Sequence, residues 1–395
     1  MAKRILILSD VTLGFSVPQI HLLARSLAAS LDAETLIVEP DMKGRRDFTA
    51  IEGVRILRIS TRMPPHDSVF VIEYARAVRQ VYREFAPDIL VVLNAGLLPP
   101  LLLETHRPAV VVYYMLESLD HQMVHGGALS YDLNRMAANL IDLVLVPERR
   151  RFDFDKTRLR WPDIPTIEVL NVSPDPGPVE SARSGCRFLY AGTLSRESGM
   201  DFLLDERLRE LDIDVVGPID SVEAREFVER FTAPSEGGRK RYLGLVPHSQ
   251  VLEMLPSYSY RIVVWKAETL NSYFASPNKF FESIAYGVPP VCTPNPQILD
   301  IARKYHCALV AKDWGLDSFC HVMADASWIS GTSTYDQLVA NCALARQAEI
   351  NWAVQFDKVR VAIEDVLARR SSARVPAPAT ATASTRQSRR RAAAK

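Results

Sequence analysis

Residues 276–289 read Ser-Pro-Asn-Lys-Phe-Phe-Glu-Ser-Ile-Ala-Tyr-Gly-Val-Pro and contain signals for both ends of a short helix. Ser276 is a residue type that caps helices, and Gly287 is the type that most often ends them. Runs rich in Val and Ile at about 260–264 and 288–292 predict a strand on either side. A strand, a helix and a strand in this order indicate the βαβ unit of a parallel sheet.

The same alternation of apolar runs and amphipathic stretches continues outward along the chain. In the second half, further strands are predicted at about 186–191, 213–217 and 307–310, with helices near 199–210, 221–231, 248–256, 277–286 and 296–304. In the first half, strands are predicted at about 4–9, 34–39, 54–59, 88–94, 109–115 and 142–146, with helices after Ser16 and from Ser68 to Phe85. The pattern predicts an α/β protein with two Rossmann-like, doubly wound parallel-sheet domains that face a cleft.

A length of 395 residues suits two domains. The Pro-rich stretch Ser173–Pro178 predicts the boundary between them. We therefore expect a first domain over 1–172, a linker over 173–185, a second domain over 186–350, a last helix over 351–368 and a disordered basic tail over 369–395.

The charge of the chain is unevenly distributed. The tail holds eight Lys or Arg and no acid, so the remaining body has 47 − 8 = 39 bases against 47 acids. The tail, which includes Arg389–Arg391 and Lys395, is suited to peripheral contact with anionic lipid, at about 1 kcal/mol per basic residue. Nonspecific nucleic-acid binding is a further alternative that we do not expect, and a solubilising extension is the interpretation that we favour.

Five cysteines lie far apart without any Cys-x-x-Cys spacing. They are typical of reduced thiols in a cytoplasmic protein. The apolar run after Lys3-Arg4 is too short for a signal peptide, and the longer apolar stretches are too short or too interrupted to span a bilayer. We expect a cytoplasmic protein, and association of the tail with the cytoplasmic face of a membrane is the alternative to a solubilising tail.

The start of the helix after Ser276 has the features of a site for a nucleoside diphosphate. Free N–H groups, the helix dipole and the ammonium of Lys279 favour a phosphate group together. Glu282 lies four residues after Asn278 and so on the same helix face, where its carboxylate can accept two hydrogen bonds from a ribose diol. The alternative is an ordinary capped helix with solvated polar residues.

The stretch 276–289 resembles the nucleotide-sugar-binding signature of GT-B glycosyltransferases of the family 4, or group 1, type. The resemblance extends to the Gly loop Tyr190–Arg196, to Val215–Pro218 and to Tyr242–His248, and the last helix with Trp352 resembles the crossover to the first domain. It implies that Glu282 binds the donor ribose. It also implies donor contacts from Gly192, Thr193, Arg196, Gly217, Gly244, Asn278 and Lys279, and hexosyl transfer with retention and without a metal.

Two positions depart from the family pattern. Phe274 stands where many members have a first Glu, and Ser198-Gly199 occupy the usual lysine region of the Gly loop. The sugar contact and one phosphate contact are therefore missing from their usual places, and Lys279 is a candidate for the missing charge. Gly192 and Gly217 have the alternative of being plain turn glycines.

The first domain is expected to bind the acceptor. Gly14 and Phe15 follow the first strand, and Asn94 and Gly96 end another, so these residues form the predicted acceptor-side loops. No Gly-x-Gly-x-x-Gly follows any strand, which argues against a nicotinamide or flavin enzyme. We expect no cofactor beyond a UDP-type or GDP-type donor.

Ionisable residues follow the strand at about 109–115. If transfer proceeds with inversion, Glu117 or Asp120 is a candidate general base toward an acceptor hydroxyl, and His121 is a candidate for positioning or polarising that hydroxyl. The alternative is an exposed loop. His121 and His125 have the spacing of two metal ligands on a helix, but no Glu lies between them in the required pattern, so no metal site is expected.

These patterns predict a glycosyltransferase with a glycan, lipid-linked or small-molecule acceptor, acting in the synthesis of cell-surface polysaccharide or glycoconjugate. A nucleotide-sugar epimerase of the same fold is one alternative. A noncatalytic binding protein that keeps the fold is the other.

Overall fold

The computed structural model describes residues 3–12, 18–41, 50–60, 68–119, 127–177, 179, 185–234 and 237–373. Two parallel sheets, each covered by helices, build this part of the chain, which confirms the predicted α/β fold. The predictions for Gly14, Phe15, Asp120, His121, His125 and most of the basic tail fall outside the described residues.

The first sheet has seven parallel strands in the order β3-β2-β1-β4-β5-β6-β7. Its strands are β1 (Arg4–Leu8), β2 (Glu34–Pro40), β3 (Val54–Ile59), β4 (Ile89–Leu93), β5 (Val110–Tyr114), β6 (Leu143–Val146) and β7 (Thr166–Glu168). Its helices are α1 (Pro18–Leu31), α2 (Ser68–Phe85), α3 (Gly127–Ala137) and α4 (Arg149–Leu159). Both faces of β4 and β5 are buried, because helices cover the sheet on two sides.

The second sheet has six parallel strands in the order β10-β9-β8-β11-β12-β13. Its strands are β8 (Arg187–Ala191), β9 (Asp212–Val216), β10 (Lys240–Tyr242), β11 (Tyr260–Val263), β12 (Pro290–Cys292) and β13 (Leu309–Val310). Its helices are α5 (Val222–Phe231), α6 (His248–Met254), α7 (Leu270–Tyr273), α8 (Asn278–Ala285), α9 (Pro296–Tyr305), α10 (Leu316–Ile329) and α11 (Ser333–Ala348).

The last helix, α12 (Trp352–Ala373), packs against the first sheet. Val359 and Ile363 are buried among residues of β1, β4 and α1. Trp352 Nε1 donates a hydrogen bond to Ser26 Oγ of α1 at 2.8 Å. The helix continues five residues beyond the expected end at 368, and Arg370 pairs with Asp142 of the first domain.

Several local predictions differ from the structure. The predicted helix over 199–210 is two short 3-10 segments, because Asp205 is extended and caps the second of them. The predicted cap Ser276 donates to Gln297 Oε1 at 2.7 Å instead, and α8 begins two residues later. Gly287 has φ +66° after the end of α8, as expected for a terminating glycine. Six of the strands and α-helices in the described residues were not predicted: the short strands β7 and β10 and the helices α3, α4, α7 and α10.

Candidate functional site

A cavity of about 400 Å³ lies between the two sheets, beyond the carboxyl ends of β5, β8 and β11. This is the place where open parallel sheets bind ligands. The first half of the chain lines it with Gln19, Leu116, Glu117, Arg151 and Asn171. The second half contributes, among others, Gly192, Thr193, Glu197, Ser198, His248, Arg261, Trp265, Asn271, Asn278, Lys279 and Glu282.

The glycines of the second domain shape one wall of the cavity. Gly192 N donates to Val216 O at 3.0 Å, and a Cβ on Gly217 would lie 2.2 Å from Gly192 O. Only glycine fits at 217, because any side chain would meet the backbone of the Gly192 loop. Gly217 and Gly244 do not line the cavity, and Gly244 accepts a hydrogen bond from Gly217 N at 3.1 Å. Among the three predicted glycines, Gly192 alone borders the cavity.

Lys279 lies beneath the Gly192 loop. Its Nζ is 4.6 Å from the centroid of the Tyr190 ring and 5.2 Å from that of Trp265, and only 8% of the residue is exposed. Over the described ranges, no carboxylate comes within 4.0 Å of this ammonium. Burial and the charge of Arg261 lower the pKa of Lys279 to about 7, against the opposing effect of Glu282. A desolvated cation at the cleft is suited to bind an anion.

Glu282 is enclosed by two partners that sequence reasoning did not assign. Its Oε1 is 2.7 Å from His248 Nε2, and its Oε2 is 2.8 Å from Arg261 Nη1. The side chains of Glu282 and Arg261 are both 3% exposed. Burial raises the pKa of the Glu282 carboxyl, but Arg261 and His248 outweigh it and hold the pKa at about 2. We call His248, Arg261 and Glu282 the inner cluster.

The signal for Arg261 was present in the sequence. It is a charged residue within the apolar run Tyr260–Val263, where a buried strand normally has none. Its partner Glu282 lies 21 residues further along, on α8, which packs against β11. Only the packing of α8 on β11 brings the two charges together.

The side chains of the Gly loop are placed differently from what the resemblance implies. Arg196 is exposed and does not line the cavity, whereas Thr193 and Ser198 do. Ser198 Oγ donates to Thr193 O at 2.8 Å and so tightens the loop. Phe274 packs edge-on against Tyr273, with ring centroids 4.8 Å apart, and is not part of the cavity wall.

Glu117 of the first domain meets the second domain at the cleft. Its Oε2 accepts a hydrogen bond from Asn271 Nδ2 at 2.8 Å and lies 3.5 Å from Arg151 Nη1. Asn271 Oδ1 accepts from Arg151 Nη1 at 3.1 Å and from Ser118 N at 2.9 Å. The Glu117 side chain is 44% exposed. We call Glu117, Arg151 and Asn271 the bridging cluster.

Asn94 organises the end of β1. Its Nδ2 donates to both carboxylate oxygens of Asp10, at 3.1 and 3.2 Å, and its Oδ1 accepts from Leu116 N at 3.2 Å. Asn94 has φ +61°, which is uncommon for a residue other than glycine. Burial raises the pKa of Asp10 to about 6 in spite of the hydrogen bond from Asn94. Neither Asn94 nor Gly96 lines the cavity.

Two kinds of feature are absent from the described residues. No group of three His, Cys, Asp or Glu side chains in these ranges is placed to hold a metal ion. No helix within the same ranges combines the length and the apolar character that a bilayer-spanning segment needs.

The fold of two parallel sheets covered by helices is shared with solved structures of the GT-B fold. Sucrose-phosphate synthase from Thermosynechococcus elongatus matches 93% of this chain and 100% of its own, with a TM-score of 0.74 and 12% identity. A glycosyltransferase from Rickettsia africae ESF-5 matches 92% and 98%, with a TM-score of 0.68 and 10% identity. Anabaena HepE in complex with UDP matches 92% and 100%, with a TM-score of 0.68 and 11% identity.

These similarities show that the chain has the GT-B fold that the resemblance implied. At 10 to 12% identity they show the fold alone. No protein-family model matches the chain, and no curated protein sequence does.

Proposed function

We propose that this chain is a glycosyltransferase that moves a hexosyl group from a nucleoside-diphosphate sugar, of UDP or GDP type, to a glycan, lipid-linked or small-molecule acceptor. One observation carries the proposal. The buried ammonium of Lys279 has no carboxylate partner among the described residues and lies at a cleft of the GT-B fold. Such a group is stabilised when an anion enters.

In this proposal the diphosphate lies at the start of α8. Lys279, the first-turn N–H groups and the backbone of Gly192 and Thr193 would contact it. As the bond between sugar and diphosphate breaks, negative charge grows on the departing diphosphate. Groups already fixed by packing stabilise that charge without reorganising. Transfer with retention and without a metal is part of the proposal, and it rests on the sequence resemblance.

The acceptor would enter from the side of the first domain. Glu117 lines the cavity, and Asp10 lies close enough to Glu117 for their charges to interact. Together with Asp120 and His121 these groups are the proposed contacts for an acceptor hydroxyl. The bridging cluster would bring this side against the donor when the domains close, so that water is excluded from the reaction.

Titration calorimetry with UDP and with GDP tests the donor half of the proposal. We expect one of the two nucleotides to bind at micromolar to low millimolar concentration. If neither binds at millimolar concentration, the proposal that the chain is an enzyme is rejected.

Incubation with the sugar form of the better nucleotide then tests the reaction. We expect slow release of the nucleotide without acceptor and faster release with a suitable acceptor. Interconversion of the donor sugar without any acceptor would indicate the epimerase instead. Binding without either reaction across an acceptor panel would indicate the noncatalytic protein.

A further inference from the structure

We propose that the indole N–H of Trp265 donates a hydrogen bond to the diphosphate of the donor, where it serves beside Lys279 in place of the lysine that the Gly loop lacks. The inference rests on the proposed function and deepens it, because it adds a second, uncharged hydrogen-bond donor to the diphosphate site.

Trp265 borders the same part of the cavity as Lys279. It follows the end of β11 by two residues, at the carboxyl edge of the second sheet, and it lines the cavity. The Nζ atom of Lys279 lies 5.2 Å from the centroid of its ring. Trp265 N donates a hydrogen bond to Thr293 Oγ1 at 3.0 Å, which anchors the backbone of the residue. An anion bound by the ammonium of Lys279 would therefore lie beside the indole.

The Nε1 atom of Trp265 has no hydrogen-bond partner among the described residues. Surrounding atoms cover it, so bulk water does not take the place of a partner. An indole N–H can only donate, and a buried donor without an acceptor is unfavourable. Phosphate oxygens accept hydrogen bonds, and such a bond is strong when the acceptor is charged and water is excluded. The indole is thus suited to a phosphate oxygen held by Lys279.

The Gly loop has no room for a lysine at position 199. Gly199 has φ +70°, and a Cβ at this position would lie 2.6 Å from Val264 Cγ2. A side chain there would clash with Val264 and would also be strained by the backbone conformation. The loop packs instead on the residue directly before Trp265. The contact that requires glycine at 199 therefore also holds the loop next to the indole.

The cations closest in sequence to the indole and to the glycine do not fill the role. Lys266, the residue after Trp265, pairs with Asp201 at 2.7 Å and does not line the cavity. Arg196 of the Gly loop is exposed and also lies outside the cavity wall. Of these side chains, only the indole borders the cavity beside Lys279.

The variant Trp265→Phe tests the hydrogen bond, because it keeps an aromatic ring beside Lys279 and removes the N–H. Calorimetry is carried out with inorganic pyrophosphate and with UDP, or with GDP where GDP is the nucleotide that binds. We expect both ligands to bind about tenfold more weakly to the variant. Unchanged pyrophosphate binding would overturn the inference. A loss confined to the nucleotide would also overturn it, because the N–H would then contact the nucleoside.

Trp161→Phe is the matched control. The Nε1 atom of Trp161 is likewise buried without a partner among the described residues, but the ring packs against Tyr113 and Phe152 in the first domain, outside the cavity wall. We expect this variant to bind pyrophosphate as the unaltered protein does. An equal loss of affinity in both variants would contradict a contact that is specific to Trp265.

Nuclear magnetic resonance of the indole N–H groups covers the case in which Trp265→Phe does not fold. The chain has five tryptophans, so replacing each of the others by Phe in turn assigns the Trp265 signal by elimination. We expect pyrophosphate to shift the Trp265 N–H proton downfield, as the formation of a hydrogen bond does, and to leave the Trp161 proton in place. A Trp265 signal that does not move would overturn the inference.

The proposed function fails separately from this inference. If the unaltered protein binds neither UDP nor GDP, the proposed function is rejected. If it binds one of them and Trp265→Phe binds that nucleotide and pyrophosphate equally well, only the role of Trp265 is rejected.

Discussion

The inner cluster and the bridging cluster contain similar chemistry in different surroundings. Each joins a carboxylate, an arginine and a third polar side chain at the cleft. The inner cluster lies within the second domain, and its carboxylate is 3% exposed. The bridging cluster spans the two domains, and its carboxylate is 44% exposed. Burial thus separates two groups that residue types alone would treat as equivalent.

The difference indicates separate tasks. Charges that are taken out of water and paired are costly to separate, so the inner cluster stays formed when the domains move. In the bridging cluster Arg151 is also buried, but the Glu117 carboxylate is reached by water, so the contacts of Glu117 can be exchanged for water at little cost if the cleft opens. In the proposed function, the donor side would therefore be fixed in advance and the acceptor side would be assembled on closure.

Arg261→Met is expected to have the largest effect. It leaves the buried carboxylate of Glu282 without its cation, and the free energy of unfolding should fall by about 3–5 kcal/mol. Urea denaturation measures the change. The matched variant Arg151→Met in the bridging cluster should lose less, because Glu117 is reached by water. Equal losses would contradict the distinction between the clusters.

Lys279→Met should weaken the binding of UDP or GDP by roughly 30-fold or more, because a charged hydrogen bond to the diphosphate contributes about 2 kcal/mol. Lys279→Met should not lower the free energy of unfolding at neutral pH, because it removes an ammonium group whose burial is unfavourable. Calorimetry and thermal melting measure both effects. Lys240→Met is the control, because Lys240 is another partly buried lysine but donates to Leu208 O, far from the cavity wall. Nucleotide affinity that survives Lys279→Met would contradict the proposed donor site.

The pH dependence follows from the pKa of Lys279, which lies at about 7 in the folded protein and at its ordinary higher value in the unfolded chain. Between pH 7 and that higher value, the folded protein has lost the Lys279 proton whereas the unfolded chain still carries it. Anion binding should therefore weaken by up to about tenfold per pH unit from pH 7 to 9, whereas the contribution of Lys279 to folding stability should rise.

Calorimetry in buffers of different ionisation enthalpy should detect proton uptake by the protein when nucleotide binds near pH 8. Lys279→Met should abolish both the uptake and the pH slope. A slope that persists in this variant would assign the titration to another group.

Asn271→Leu should have the smallest effect, a loss of about 1 kcal/mol in the free energy of unfolding. It removes the contacts between the second domain and Glu117, so the radius of gyration of the free protein should also increase in solution scattering. Asn341→Leu is the control, because the hydrogen bonds of the Asn341 side chain among the described residues, to His306 O and from Gln337 Nε2, both lie within the second domain. An unchanged radius would show that the bridging cluster does not hold the domains together.

Most of the fold was predictable because its signals are local. The buried runs of β1, β4, β5 and β8 were identified by their composition, and Gly287 by its place after a helix. The errors arose where tertiary packing outweighs local preference. Three-residue strands such as β7 and β10 are too short to show a period, and they exist because a neighbouring strand pairs with them.

The sequence by itself determined the two-sheet architecture and directed attention to Lys279, Glu282 and Glu117. It could do so because a helix start, a turn glycine and the end of a strand each depend on residues that are neighbours in the sequence. Only the tertiary structure decided what surrounds them. Glu282 meets His248 across 34 residues of sequence and Asn271 meets Glu117 across 154, and Arg196 turns out to be exposed. Burial and pairing depend on distances between elements far apart in the chain, and these distances set the charge of the site.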